Sequence, residues 1–268
     1  MDQQPVQTSG PRLKDNQLVP LAIVVAGIFI AAAIYFGGSP KLAVAPSTNT
    51  TQGSTQTVGD IAPVTNQDYT IGATNPQLSV VEYSDYECPF CKQFHTTMHQ
   101  VLTAYPNDVA WTYRQFPIVQ LHSKAPKESE AALCVAELGG NAAFWKFTDA
   151  IFLTTNSNNS LDPTELPLLA ASSGIDGNAF NACFASGRYT QKVTDEVDAS
   201  MKAGALGTPY NVIIAKKDIT LDQQKQIQTV FGSQAATVMF SIKDKKILSV
   251  NGAQPYTKMK KVFDILLK

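Results

Sequence analysis

From Tyr69 onward the chain alternates between short apolar runs and stretches in which apolar residues return every three or four positions. Leu78 to Tyr83 is rich in β-branched and aromatic residues, with Asn75-Pro76 before it and Ser84-Asp85 after it, which predicts a buried strand. Cys88, Cys91, Phe94 or His95, Met98 and Leu102 then recur at helical spacing until Pro106 and Asn107 close the segment. Val109 to Phe116 predicts a second strand, and strand, helix and strand together have the size of a βαβ unit.

From about Ser123 to Ala203 the spacing becomes helical. Helices are expected at Ala131 to Leu138, at Phe144 to Leu153, in a run opened by Asp162-Pro163 with Glu165 three residues on, and at Thr190 to Ala203. Pro167 interrupts the third of these. Strands return at Asn211 to Ala215, Ala236 to Ile242 and Lys246 to Val250, with a helix at Thr220 to Phe231 and a final amphipathic helix at Thr257 to Leu267. The pattern is an α/β sheet split by a helical insert at about residues 117–204. No internal repeat is visible, so a solenoid or propeller is not supported.

Leu18 to Phe36 differs from the rest, because it carries no charge and as a helix would span about 28 Å, close to the hydrocarbon thickness of a bilayer. Arg12 and Lys14 precede it and the next charge is Lys41, so a single-pass helix with a cytoplasmic N-terminus and an extracytoplasmic remainder is expected in a cell membrane. The rival reading is a cleaved signal peptide with a small-x-small site at Ala43-Val44-Ala45. Against it stand the length of the run, Lys41 lying before the site and Pro46 directly after the cut. Pro46 to Val58 is polar and uncharged, too polar to offset the entropy of ordering. The expected organisation is a cytoplasmic segment 1–17, a transmembrane helix 18–36, a flexible stalk 37–68 and a folded domain 69–268.

Charge changes the picture only by exclusion. With 21 Lys and Arg against 22 Asp and Glu the net charge is −1, so no positive field draws in phosphates and no nucleic-acid partner is expected.

The chemistry lies in four cysteines. Cys88-Pro89-Phe90-Cys91 falls where the first strand hands over to the first helix, the context required of a thiol-disulfide motif. Unpaired N–H groups and partial positive charge at a helix start stabilise a Cys88 thiolate, while Cys91 sits one turn inward. A metal reading also starts here, since Cys88, Cys91, His95 and His99 could share a helix face. Eleven residues of helix span about 16 Å, however, and a tetrahedral zinc holds its ligands at about 2–2.3 Å, so all four cannot bind one ion. No metal is expected, and His95 and His99 read as partly exposed helix residues. Cys134 and Cys183 lie on insert segments that should pack together, and a structural disulfide between them is expected, the alternatives being a second redox relay or two free buried thiols.

The segment Val80-Val81-Glu82-Tyr83-Ser84-Asp85-Tyr86-Glu87-Cys88-Pro89-Phe90-Cys91 resembles the active-site segment of DsbA-like thiol-disulfide oxidoreductases. Tyr113-Arg114-Gln115-Phe116-Pro117, Ala143-Phe144-Trp145 and Gly207-Thr208-Pro209 agree with it. The resemblance covers about Tyr69 to Lys268 and implies a thioredoxin fold with a helical insert. It also implies that Cys88 is the nucleophile and Cys91 its buried partner. Pro209 corresponds to the cis-proline beside them, Thr208 to the residue that offers backbone groups to substrate, and Glu82 to a buried acid that relays a proton to Cys91.

Two departures stand out. Pro89-Phe90 lacks the histidine that DsbA carries between its cysteines, which implies lower oxidising power, and about Lys216 to Ser233 is extra and has no assigned role. His122 reads as structural. The leading expectation is a monomeric oxidase without a cofactor that donates the Cys88–Cys91 disulfide to reduced exported proteins and is reoxidised by a membrane redox partner. The alternatives are a reductase or isomerase using the same atoms, and a non-enzymatic tethered module for peptides or metal ions.

Overall fold

The computed structural model describes residues 58–268. A six-stranded sheet forms the middle layer, in the order β1-β3-β2-β4-β6-β5. Its strands are β1 (Tyr69–Gly72), β2 (Leu78–Ser84), β3 (Val109–Gln115), β4 (Tyr210–Ala215), β5 (Val238–Phe240) and β6 (Ile247–Asn251). β2 and β3 run parallel, and every other neighbouring pair is antiparallel.

Alternation along β2 explains its central place. Leu78 and Val80 enter the larger core, whereas Val81 and Tyr83 point to a smaller core on the other face with Phe116, Tyr210 and Val212. Glu82 has the parity of Val80 and so lies on the larger-core side.

Helix α1 (Pro89–Ala104) connects β2 to β3 and buries Cys91, Phe94, His95, Met98 and Val101 as one stripe. Between β3 and β4 lies the insert: α2 (Ala125–Thr154), α3 (Leu166–Ser172), α4 (Gly177–Ala185) and α5 (Thr190–Lys202). The two helices expected within 131–153 run together as α2, bent at Gly140, whose φ of 70° suits a residue without a side chain. Pro167 does not interrupt α3. It stands in the first turn, where a missing N–H leaves no helical bond unmade. β1 and α4 were not resolved as elements by the spacing alone. α4 begins at Asp176, whose carboxylate accepts the Ala179 N–H.

The extra segment contains α6 (Leu221–Phe231), opened by a reciprocal cap in which Thr220 accepts the Gln223 N–H and the Gln223 side chain accepts the Thr220 N–H. Its buried Ile227 and Phe231 pack into the larger core with Met259, Val262 and Phe263 of α7 (Tyr256–Leu266). The segment is thus part of the layer that covers the sheet.

Residues 58–68, read from the sequence as the end of the stalk, are packed on the domain. Val58 is buried, and the Gly59 and Asp60 N–H groups donate to the Ala203 and Lys202 carbonyls. A Cβ at Gly59 would come within 2.1 Å of the Lys202 oxygen, so only glycine allows this approach. Arg114 holds the segment further along through Ala62 O, Pro63 O and Asp68.

The single-pass membrane localisation is corrected. Among the described residues no helix is long and apolar enough to cross a membrane. The long helix α2 fails on polarity, since it carries Glu128, Glu130, Glu137 and Asp149 and packs in the domain core. Leu18 to Phe36, on which the expected span was placed, lies outside the described residues.

Candidate active site

Cys88 caps α1 in extended conformation, with Pro89 behind it, so the first-turn N–H groups lie beside its sulfur. Cys88 and Cys91 are both free thiols. Hydrogen bonding from the Cys91 thiol is the largest influence lowering the Cys88 thiol, helped by Thr208 and the Cys91 and Phe90 amides, and these outweigh burial to bring it to about 6. Cys91 is pushed the opposite way, first by burial and then by its hydrogen bond to Cys88 and the charge on that sulfur. One sulfur is therefore poised as thiolate and the other as thiol.

The Thr208–Pro209 peptide bond is cis, and Cys88 Sγ lies 3.4 Å from the Thr208 carbonyl oxygen, to which it donates in its protonated form. β4 begins at the next residue, Tyr210, so the neighbour of the pair is fixed by the sheet itself.

Glu82 is completely buried on β2. Ser84 Oγ donates to its Oε1 at 2.7 Å and Trp111 Nε1 to its Oε2 at 2.9 Å. Burial outweighs both bonds and pushes the carboxyl up to about 8, so Glu82 holds its proton at neutral pH.

Three further acids lie around the start of α1, one of them in contact with Cys91 and none singled out by sequence reasoning. Asp85 is buried, and its N–H donates to Cys91 Sγ at 3.4 Å. Its carboxylate accepts from Ile118 N at 2.7 Å, Glu87 N at 2.9 Å and His122 Nδ1 at 2.9 Å. His122, read as structural, thus reaches the site through Asp85. Glu87 accepts from Thr155 Oγ1, Ser160 N and Leu161 N and so ties the 155–161 loop to the base of α1. Ser157, Asn158 and Asn159 in that loop all have positive φ, a conformation held here by such ties. Glu128 is raised to about 9 by burial and then by Glu87, so it meets Glu87 as a neutral acid. Two acids within an otherwise apolar turn, at Asp85 and Glu87, were a usable signal. Glu128 had none, because only the fold brings it there.

Cys134 and Cys183 form a disulfide with sulfurs 1.99 Å apart, joining α2 to α4. His95 is a correction to the expected partial exposure, since its side chain is buried against Trp111 and Phe152.

A parallel strand pair linked by a helix that opens on Cys-x-x-Cys, faced by a cis-proline, defines a thioredoxin-like protein with a helical insert. The family model described as Thioredoxin matches residues 64–231, and the chain belongs to that family. Its fold is that of DsbA-family structures. DsbA2 of Pseudomonas aeruginosa is 20% identical with a TM-score of 0.53, over 76% of this chain and 96% of that one. Oxidised BdbD of Bacillus subtilis is 16% identical with a TM-score of 0.58, over 79% and 100%. Among curated relatives, the Na(+)/H(+) antiporter NhaA 3 of Salinispora tropica is 28% identical over 202 residues, which are 75% of this chain and 30% of that protein. The chain thus spans under a third of the length of this relative.

Proposed function

We propose that the protein is a thiol-disulfide oxidoreductase working as an oxidase, with Cys88 as the exchanging sulfur, and that its substrates are reduced cysteine pairs of exported proteins. The observation that carries the reading is the opposed state of the two sulfurs: a Cys88 thiol lowered to about 6 next to a buried Cys91 thiol pushed up. A stabilised Cys88 thiolate favours the reduced form of the pair, which makes its disulfide a better oxidant.

In the forward reaction a substrate thiolate attacks Cys88 Sγ of the Cys88–Cys91 disulfide. The Cys88–Cys91 bond breaks, a substrate–Cys88 mixed disulfide forms, and Cys91 leaves as thiolate. Glu82, which holds its proton at neutral pH and lies on the same core side of the sheet as Cys91, supplies that proton. A second substrate thiolate then attacks the substrate sulfur and releases the Cys88 thiolate. Two electrons have passed to the pair, and a separate membrane redox partner takes them away.

Thr208, with Pro209 fixing its carbonyl beside Cys88, offers backbone to an extended peptide. Phe90 (60% exposed) and Leu206 (80% exposed) flank the two arms of the site and give apolar footing to unfolded chain. The Cys134–Cys183 disulfide supports maturation in an oxidising compartment.

The deciding experiment is the equilibrium of the pair with glutathione, run beside oxidative refolding of a reduced protein and insulin reduction. An oxidase is expected to have a potential less negative than about −200 mV and to refold the substrate. A value near the thioredoxin level of about −270 mV, with rapid insulin reduction, would overturn the direction in favour of a reductase.

A further inference from the structure

We propose that His95, His99 and Asp149 form a binding site for one divalent transition-metal ion of the zinc class, separate from the thiol pair. His95 and His99 are four residues apart on α1 and so share a face, and Asp149 reaches them from the second half of α2. The three donor atoms converge: His95 Nε2 to Asp149 Oδ1 is 2.7 Å, His99 Nε2 to the same oxygen 2.9 Å, and the two Nε2 atoms are 3.2 Å apart.

Counting protons shows why a cation fits. Three close contacts each need something positive between their atoms, yet each Nε2 carries at most one proton and an ionised Asp149 carries none. Two protons cannot serve three contacts, whereas one ion at the common vertex serves all of them. A tetrahedral zinc with bonds of about 2.0–2.1 Å keeps its donors roughly 3.3 Å apart, so the edges of this triangle would have to open by about 0.1 to 0.6 Å. From the three distances, an ion about 2.05 Å from each donor sits about 1.1 Å off their plane, leaving the opposite side open to a further ligand. Two imidazoles and one carboxylate favour zinc, nickel, copper or cobalt over magnesium or calcium, which prefer oxygen alone.

The surroundings agree. His99 and Asp149 border an open cavity of about 350 Å³, and their side chains are 43% and 47% exposed, so an ion and a water have a path in. Lys92, the cation on that rim, donates instead to the Thr155 carbonyl. The two thiols face elsewhere, Cys91 to the Asp85 amide and Cys88 to the Thr208 carbonyl. Aromatic packing against Trp111 and Phe152 fixes the His95 ring. His95 Nδ1 is buried without a partner among the described residues, so the outer-shell bond that usually supports a ligating imidazole is missing. Affinity is accordingly expected about 10–100-fold below that of a fully supported site. The ion would clasp the thiol-bearing helix α1 to the insert helix α2.

The test uses the full chain without an affinity tag, stripped with chelator, with Cys88 and Cys91 oxidised to their disulfide so that neither sulfur can bind metal. Zinc chloride alone is titrated by calorimetry and thermal unfolding, and cobalt(II) is read by its visible spectrum. The expected result is one zinc per chain, a zinc-dependent rise in the unfolding midpoint, and a cobalt spectrum without thiolate charge transfer. His99→Ala and Asp149→Asn should each weaken binding at least tenfold while leaving disulfide exchange in chelator unchanged. Should Asp149→Asn fail to fold, His99→Ala decides alone, because that ring is half exposed. Binding by the oxidised chain no tighter than that of His99→Ala, or a stoichiometry other than one, would overturn the site.

Discussion

His122 Nδ1 stands 2.9 Å from Asp85 Oδ2, and Asp85 in turn donates its backbone N–H to the Cys91 sulfur. A histidine in a loop after β3 is thereby connected to the buried thiol through one aspartate, whose other acceptor contacts are the Ile118 and Glu87 amides.

Removing that histidine leaves a buried carboxylate one donor short. His122→Ala is expected to destabilise the domain by about 1–3 kcal/mol, and a double-mutant cycle with Asp85→Asn should return a coupling of similar size in urea unfolding. Additive effects would show the contact to be energetically idle.

The assignment of the two sulfurs is tested by trapping. Cys91→Ser leaves Cys88 without a resolving partner, so mixed disulfides should accumulate on non-reducing gels, while Cys88→Ser should trap little and lose exchange activity. The thiolate absorbance of Cys88 should titrate near 6. The sign of the linked stability follows: a thiol lowered from 9.0 to about 6 contributes stability that is full above 9.0 and lost as pH falls through 6. Cys91, being raised, changes the balance only above that window. The reduced protein should therefore gain stability relative to the oxidised protein between pH 6 and 9, and a flat difference would count against the lowered thiol.

Glu82 gives the opposite slope. Its carboxyl is raised from 4.5 to about 8 by burial, so its stabilising contribution is full below 4.5 and lost as pH rises through 8. Glu82→Gln removes a loss of up to about 1.4 kcal/mol per pH unit in that window. The variant should gain stability on the wild type steadily from pH 4.5 to 8, while release of Cys91 slows about tenfold or more without the proton source. Parallel stability curves would mean that Glu82 does not titrate there.

Cys134 and Cys183 close a loop with a sequence separation of 49. Replacing both with serine should cost about 4 kcal/mol if loop entropy dominates. All four cysteines are buried, but the lowered Cys88 thiol makes the Cys88–Cys91 disulfide the more reducible one, so mild reductant should open it and leave the insert bridge intact. Peptide mapping after partial reduction reads the order, and loss of the insert bridge first would contradict it.

Features that repeat over a few residues are legible in the sequence. Leu78 to Tyr83, the helix opened by Cys88 and the late strands are written in local periodicity, because a strand or helix buries side chains at a fixed interval. The pairing of a Cys-x-x-Cys turn with the Thr208-Pro209 dipeptide was legible too, through resemblance rather than physics. β1 was not, since four residues of Tyr-Thr-Ile-Gly are too short to show a period, and its place beside β3 depends on pairing across the sheet. The charge network was not either. Asp85 with His122, Glu87 with Glu128, and His99 with Asp149 are 37, 41 and 50 residues apart, from Asp85, Glu87 and His99 respectively. Whether such groups titrate, ligate or merely pair depends on burial and on which partner atoms lie within about 3 Å, and both are set only when distant segments pack into one core.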